Sequence, residues 1–295
     1  MVAEIDDTYC EAFDGLYARM LVTAADKKRL LRAAVQATAL PLTVLGESEG
    51  GVERLVPASE TPDGRIGAII QIWVLKTKNS VEKLEKELGK RIRQGILVTP
   101  TTRLFNLTNT DNYIDMTNSV GHCGDGYETY INTYGREMIN IPIMMGFDFQ
   151  IERKIGYKTG VMGGNLWFLC DSVEAGVRAG DKAVKAISQV EGVITPFDTC
   201  SAGSKVGGRY PEIGPTTNHP YCPTLKKVIG DSKVPEDVKS IPEIVIDGVD
   251  EESVKNAMSS AIKAVKNVKG LIKISAGNYE GKLGRYKIFL KDLQH

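Results

Sequence analysis

No cysteine stands in a C-x-x-C pair, although the chain has five: Cys10, Cys123, Cys170, Cys200 and Cys222. An odd, scattered set gives no support to zinc ribbons, iron–sulfur clusters or thioredoxin chemistry. It reads as free, mostly buried thiols in a reducing compartment. Histidine is scarce as well, with only His122, His219 and His295. His122-Cys123 is too tight for the usual ligand spacings and H-E-x-x-H is missing, so no metal site is expected. Three histidines also leave few candidates for a Ser–His or Cys–His nucleophile. Neither sign of charge dominates, because Lys plus Arg and Asp plus Glu number 37 each and the formal net charge is zero. No basic patch stands out, so a nucleic-acid partner is not expected. No apolar run approaches the roughly 20 residues of a membrane span. The acidic start, MVAEIDDTYCEAF, lacks the charged-then-apolar order of a signal peptide. A cytoplasmic protein with no membrane partner is the simplest expectation.

What is present belongs to a globular protein. The 295 residues are 42% hydrophobic and 25% charged, enough for a large core and one to three domains. The most legible stretch runs from Pro242 to Tyr286. Ile244-Val245-Ile246 has strand length and composition. Asp250 stands as a helix N-cap, with Glu251 and Glu252 in the first turn. Val254, Ala257, Met258, Ala261, Ile262, Val265 and Val268 follow at helical spacing, and Gly270 stops the helix. Leu271–Ser275 is a second strand, leading into a loop punctuated by Gly277, Gly281 and Gly284.

Earlier segments repeat this pattern. The first third predicts strands at 20–24, 42–45, 68–75 and 96–99. A helix from the Asp26 cap to Thr38 and one capped by Ser80 lie between them. The stretch 46–65, rich in Gly, Glu, Pro and Ser, reads as a loop ending in the Thr61-Pro62-Asp63-Gly64 turn. From about 102 to 160 turn signals multiply around short alternating strands at 128–131 and 137–143, which reads as a β-rich insertion. Beyond it come a strand at 165–170, a helix from Ser172 to about Val190, a strand at 193–196 and an irregular passage from 197 to 242. AVKAISQVEGVI at 183–194 and AIKAVKNVKGLI at 261–272 are internal echoes. The expected class is α+β: two ferredoxin-like β-α-β-β-α-β lobes, 1–160 with its insertion and 161–295.

Four places point to chemistry. Glu243 opens a buried-looking strand, where a carboxylate is costly unless paired or working; the alternative is a strand-end residue reaching solvent. Gly203-Ser204-Lys205-Val206-Gly207-Gly208-Arg209 resembles an anion-binding loop but lacks the Gly-Lys-Ser/Thr ending of a P-loop. Gly160-Val161-Met162-Gly163-Gly164-Asn165 either brings backbone close to a ligand or only permits a tight bend. The loop after Ser275 sets Asn278, Lys282 and Arg285 among glycines, offering N–H groups beside positive charge.

Several of these stretches resemble the formylmethanofuran:tetrahydromethanopterin formyltransferase family. They are ISAGNYEGKLGRY at 274–286, EIVIDGVDEESVKNAM at 243–258, GSKVGG at 203–208 and PASETPDGR at 57–65. IDDTYCEAF at 5–13, GDGYET at 124–129 and GVMGGNLWFL at 160–169 belong with them. The matches run in order along nearly the whole chain. The resemblance implies a cofactor-independent enzyme of one-carbon metabolism, a dimer or tetramer built of two ferredoxin-like lobes. It moves a formyl group between methanofuran and N5 of tetrahydromethanopterin. It also implies Glu243 as proton shuttle and a coenzyme-binding set of Gly163, Gly164, Asn165, Ser204, Lys205, Arg209, Asn278, Lys282 and Arg285. The sequence departs from the family pattern at 45–50, 93–95 and 196–200. Those departures carry the second reading, a pterin- or furan-binding paralogue without turnover.

Overall fold

The computed structural model describes residues 2–39, 48–212 and 214–294. In chain order the strands and α-helices are β1 (Glu4–Ile5), β2 (Tyr9–Thr23), α1 (Lys27–Thr38), β3 (Glu49–Val56), β4 (Gly67–Leu75) and α2 (Ser80–Arg91). There follow β5 (Arg103–Asn106), β6 (Tyr113–Asp115), α3 (Met116–Ser119), β7 (Thr129–Thr133), β8 (Arg136–Ile143), β9 (Phe147–Glu152) and β10 (Lys154–Gly156). The last group is β11 (Lys158–Cys170), α4 (Val173–Ile187), β12 (Val193–Ile194), β13 (Glu243–Gly248), α5 (Glu251–Val265), β14 (Leu271–Ser275) and β15 (Tyr286–Phe289). This is a mixed α and β protein with extensive sheet. Two compact units divide it: Gly15–Gly160, and Met1–Asp14 with Val161–His295. Residues 1–14, expected with the N-terminal lobe, group with the C-terminal half.

In the 15–160 unit the strand order is β3-β4-β2-β5, every pair antiparallel. α1 and α2 bury Leu30, Ala33, Ala34, Ala37, Leu84 and Leu88 in one core with Met20, Val22, Ile70 and Ile72 of the strands. α1 starts where expected, because the Asp26 carboxylate accepts the Arg29 N–H at 3.0 Å. α2 does not use its expected cap: Ser80 is its first residue, and its hydroxyl donates to the Thr77 carbonyl at 2.8 Å.

Two sequence expectations need correction in this unit. Ile96–Thr99 is no strand; residues Ile92–Leu97 prolong α2 as a wider π-helical turn. Tertiary packing decides this, since a Cβ on Gly95 would lie 2.6 Å from the Ala37 nitrogen of α1 and Ile96 is fully buried. The fourth strand is instead Arg103–Asn106. The supposed loop at 46–65 contains β3, paired along the length of β4, with Glu49 and Glu53 buried. The expected strand at 42–45 lies outside the described residues. The β-rich insertion is present: β5 pairs in parallel with β9, and β9, β8 and β7 form an antiparallel meander.

In the other unit the order is β14-β11-β13-β12, again antiparallel throughout, with β1 parallel to β14 and β15 on the first residues of β2. α4 and α5 pack small residues (Ala175, Ala179, Ala183, Ala257, Ala261) against Leu166, Phe168, Ile244 and Ile246. The Asp250 cap is a full capping box: its carboxylate accepts the Ser253 N–H at 2.7 Å, and the Ser253 hydroxyl accepts the Asp250 N–H at 3.2 Å. The described residues of 197–242 are irregular, as expected, apart from isolated β-bridges and short 3₁₀ turns at His219–Tyr221 and Pro223–Leu225. No helix among the described residues is long and apolar enough to cross a membrane.

Candidate functional site

β13 begins with Glu243 because the chain enters the sheet there from the irregular passage. Its N–H donates to the Cys200 carbonyl at 2.9 Å and its carbonyl accepts the Cys200 N–H at 2.8 Å. The side chain is 9% exposed, so it does not reach out to solvent as a strand-end residue would. Trp167 of β11, its cross-strand partner, donates from Nε1 to Glu243 Oε1 at 2.9 Å, and the Cys200 thiol adds a second hydrogen bond. Burial pushes the pKa of this carboxyl up, and the two donors only partly oppose that push.

Glu243 forms part of the wall of a cavity of about 480 Å³, together with Trp167, Thr199, Asn218, Tyr221 and Lys239. Tyr221 packs edge-on against Trp167 with centroids 4.7 Å apart. The lining therefore combines aromatic faces, hydroxyl and amide groups, one cation and one buried acid. Such a wall suits a flat heteroaromatic or amide-bearing ligand and a proton transfer at its edge. Trp167, Cys200, Asn218, Tyr221 and Lys239 were not singled out by sequence reasoning. Lys239 stands four residues before Glu243 and Trp167 lies inside the GVMGGNLWFL stretch, so both were within reach of a closer reading.

The glycine stretch at 160–165 is a β-bulge in β11, where the register with β13 shifts between Val161 and Gly164. Gly163 has φ 77°, and its N–H donates to the buried Asp247 carboxylate at 3.0 Å. A Cβ on Gly164 would stand 2.6 Å from Val254 Cγ1, so that glycine serves packing against α5. Asn165 fastens the loop after β14: its Oδ1 accepts the Gly277 N–H at 2.6 Å and its Nδ2 donates to the Gly277 carbonyl at 3.2 Å. Its own N–H donates to Cys10 Sγ at 3.1 Å, and burial drives the Cys10 thiol pKa up to about 12. Cys10 is consequently a packed, un-ionised group.

The loop itself corrects a sequence expectation. Its N–H groups do not stand free for a ligand: Tyr279, Gly281, Leu283 and Gly284 all donate to the carboxylate of Glu11. Asn278 is likewise internal, donating to Thr8 Oγ1 and the Tyr9 carbonyl, both at 3.2 Å. Lys282 and Arg285 are exposed and paired with Glu280 and, at 3.0 Å, with Asp14. In the 203–209 loop, Ser204 is hydrogen-bonded to the Tyr279 phenol, and Lys205 Nζ lies 2.9 Å from His219 Nε2. Arg209 is exposed over the Tyr210 ring. Ser204 and the 163–165 bulge thus join the surroundings of Glu243 through Tyr279 and Gly277. Arg209, Lys282 and Arg285 stand at the surface, away from the cavity lining.

Comparison with known proteins places these features in context. Residues 1–143 match the family described as formylmethanofuran-tetrahydromethanopterin formyltransferase, and residues 147–293 match its proximal lobe. A formylmethanofuran–tetrahydromethanopterin formyltransferase-like protein of Archaeoglobus fulgidus is 58% identical over 289 residues, 98% of this chain and 96% of that one. The solved formyltransferase of Methanosarcina barkeri superposes with a TM-score of 0.91 at 42% identity, covering 99% of this chain and 98% of that one. A chain of the formyltransferase/hydrolase complex of Methylorubrum extorquens, solved with methylofuran, gives a TM-score of 0.90 at 33% identity, covering 99% and 96%.

Proposed function

Since the chain belongs to the formylmethanofuran-tetrahydromethanopterin formyltransferase family, we propose that it transfers a formyl group between methanofuran and N5 of tetrahydromethanopterin. Both coenzymes act as substrates and no further cofactor enters the scheme. The β-α-β-β-α-β order of each unit, with strand order fourth-first-third-second, supports reading each as a ferredoxin-like lobe. The methylofuran present in the Methylorubrum extorquens formyltransferase/hydrolase complex supports a furan coenzyme as one partner.

The observation that carries the reading is Glu243, a buried acid with a raised pKa at the wall of a cavity. N5 of the pterin attacks the formyl carbon, forming a C–N bond and a tetrahedral adduct with an oxyanion. Glu243 takes the proton from N5 and returns it to the methanofuran nitrogen as that C–N bond breaks and the carbonyl reforms. A raised pKa brings its two protonation states closer together near neutral pH, which suits a group that must accept and release one proton per turnover. Trp167 and Cys200 hold the carboxyl in place. Coenzyme binding is assigned to Ser204 and Lys205 and to the surface cations Arg209, Lys282 and Arg285, with Gly163, Gly164, Asn165 and Asn278 shaping the backbone beside them. Those cations suit the anionic tails of the coenzymes.

The protein is proposed to act in the cytoplasm as a homo-oligomer. Most of the apolar stretches 139–145 and 161–169 are spent in the cores, but Met144 and Met145 remain fully and largely exposed at the β8–β9 turn. They are a natural contact between copies.

The direct test incubates purified protein with formylmethanofuran and tetrahydromethanopterin and follows formyl-tetrahydromethanopterin by absorbance. Catalysed transfer in both directions is the expected result. Tight binding of both coenzymes without turnover would replace this reading by that of a binding paralogue.

A further inference from the structure

Glu11 lies on β2, in the segment that belongs with the 161–295 unit, and is 1% exposed. Its Oε2 accepts the N–H groups of Tyr279 and Gly281, both at 2.8 Å. Its Oε1 accepts those of Leu283, at 2.6 Å, and Gly284. A carboxylate offers about four lone-pair sites, so its accepting capacity is filled by one loop. Burial by itself would raise the pKa of this carboxyl, but the four bonds outweigh it and hold the group below its usual range.

The captured loop has little reason to keep this shape unaided. Glu280 sits at φ 59°, a left-handed conformation that non-glycine residues adopt mainly under outside constraint. Gly284 rests so closely on Glu11 that a Cβ there would come 2.5 Å from its Cγ and 2.6 Å from the Ala12 carbonyl. At the loop's other end, a Cβ on Gly277 would come 2.6 Å from Cζ2 of Trp167, the indole that donates to Glu243. Between them Tyr279 reaches Ser204, and its phenol pKa is raised by burial, with the charges of Glu243 and Glu11 adding to the effect.

We propose that Glu11 is a positioning residue for formyl transfer: its carboxylate is the template on which residues 279–284 fold, and the folded loop seats Tyr279 against Ser204 and Gly277 against the Trp167 ring that holds Glu243. The catalytic half of this inference rests on the formyl-transfer reading; the template itself does not. Glu11 touches no substrate in this scheme and acts only through the loop. A shift of about 1 Å in a group beside the reacting atoms costs roughly 10²-fold in rate, so loss of the template registers in turnover.

The test is Glu11→Gln in the full chain, with Glu11→Asp beside it. Glutamine turns one acceptor into an NH₂ donor facing other donors, whereas aspartate keeps the charge. Glu11→Gln should raise amide exchange at 279–284 by at least about tenfold while α5 stays protected. The Tyr279 phenol, isolated by ultraviolet titration against Tyr279→Phe, should fall back toward the ordinary tyrosine range. Turnover at saturating coenzymes should drop about 10²-fold, over and above any rise in KM from the loosened Lys282, and Glu11→Asp should recover part of it. Should Glu11→Gln fail to fold, Gly284→Ala displaces the loop from the same carboxylate with Glu11 retained, and the same readouts apply.

Unchanged exchange and phenol titration would overturn the template. A loosened loop with wild-type turnover per folded molecule would overturn the positioning role while leaving formyl transfer untouched. A wild-type protein that transfers no formyl group at all would refute the functional reading and with it the positioning role. The template would then stand or fall on exchange and phenol titration alone.

Discussion

Replacing Glu243 by glutamine separates a proton shuttle from a structural acid. The substitution keeps side-chain volume, and an amide oxygen remains available to the Trp167 N–H that now meets Oε1 at 2.9 Å. The two backbone bonds to Cys200, at 2.8 and 2.9 Å, do not depend on the side chain. What disappears is the capacity to take a proton and give it back. Loss of a general acid–base group costs about 10²–10⁴ in rate, or roughly 3–5 kcal/mol on the barrier. Stability should move the other way, and the sign follows from burial. The folded-state pKa of Glu243 is raised, so the native state holds this proton more tightly than the unfolded chain does. Its contribution to stability is full below the unfolded pKa, about 4.3 for a glutamate, and is lost as pH rises through the raised folded value. Glutamine has no ionised form to penalise. The melting temperature of Glu243→Gln relative to wild type should therefore improve between about pH 5 and about pH 8. Steady-state kinetics with both coenzymes and melting curves at both pH values are the assay. Turnover within threefold of wild type, or a melting temperature that worsens relative to wild type as pH rises, would refute the assignment.

Other substitutions test the packing within each unit. Gly164→Ala places a Cβ 2.6 Å from Val254 Cγ1 and should cost about 1–3 kcal/mol in denaturant melts, because the neighbour belongs to a packed helix. Asp250→Ala removes the carboxylate half of the α5 capping box, leaves the backbone N–H bond to Ser253 Oγ, and should cost about 1 kcal/mol by thermal melting, with kcat unaltered. Glu53→Ala strips the bidentate partner, at 2.7 Å on both nitrogens, from the mostly buried Arg19 and also loses the 2.8 Å bond from Gln71. A loss of about 3–5 kcal/mol should follow in urea titration, and a loss under 1 kcal/mol would show that water readily reaches that guanidinium.

Local signals fixed much of this protein before any long-range contact was known. Asp26 and Ser172 cap the helices they announce in the sequence, Asp250 does so with a reciprocal bond, and Leu271–Ser275 is a strand to the residue. Capping and amphipathic periodicity act within a turn or two of the chain, so the sequence displays them directly. Glu243 stands out on similar grounds, as a carboxylate opening a buried-looking strand, and the fold buries it. Where partners lay far away in sequence, local reading failed. β3 looks like a loop by composition and is a strand because β4 supplies its hydrogen bonds and Arg19 supplies the counter-ion for Glu53. The apolar Ile96-Leu97-Val98 run reads as a strand, but Gly95 seats against α1 and keeps the first two residues helical. The glycine loop after β14 reads as a set of donors awaiting an anion, and only the fold reveals that Glu11, about 270 positions earlier, already fills them. A carboxylate and a loop so distant in sequence meet only when β2 and the end of the chain are brought together. That meeting is a property of the tertiary structure, invisible to any window of sequence.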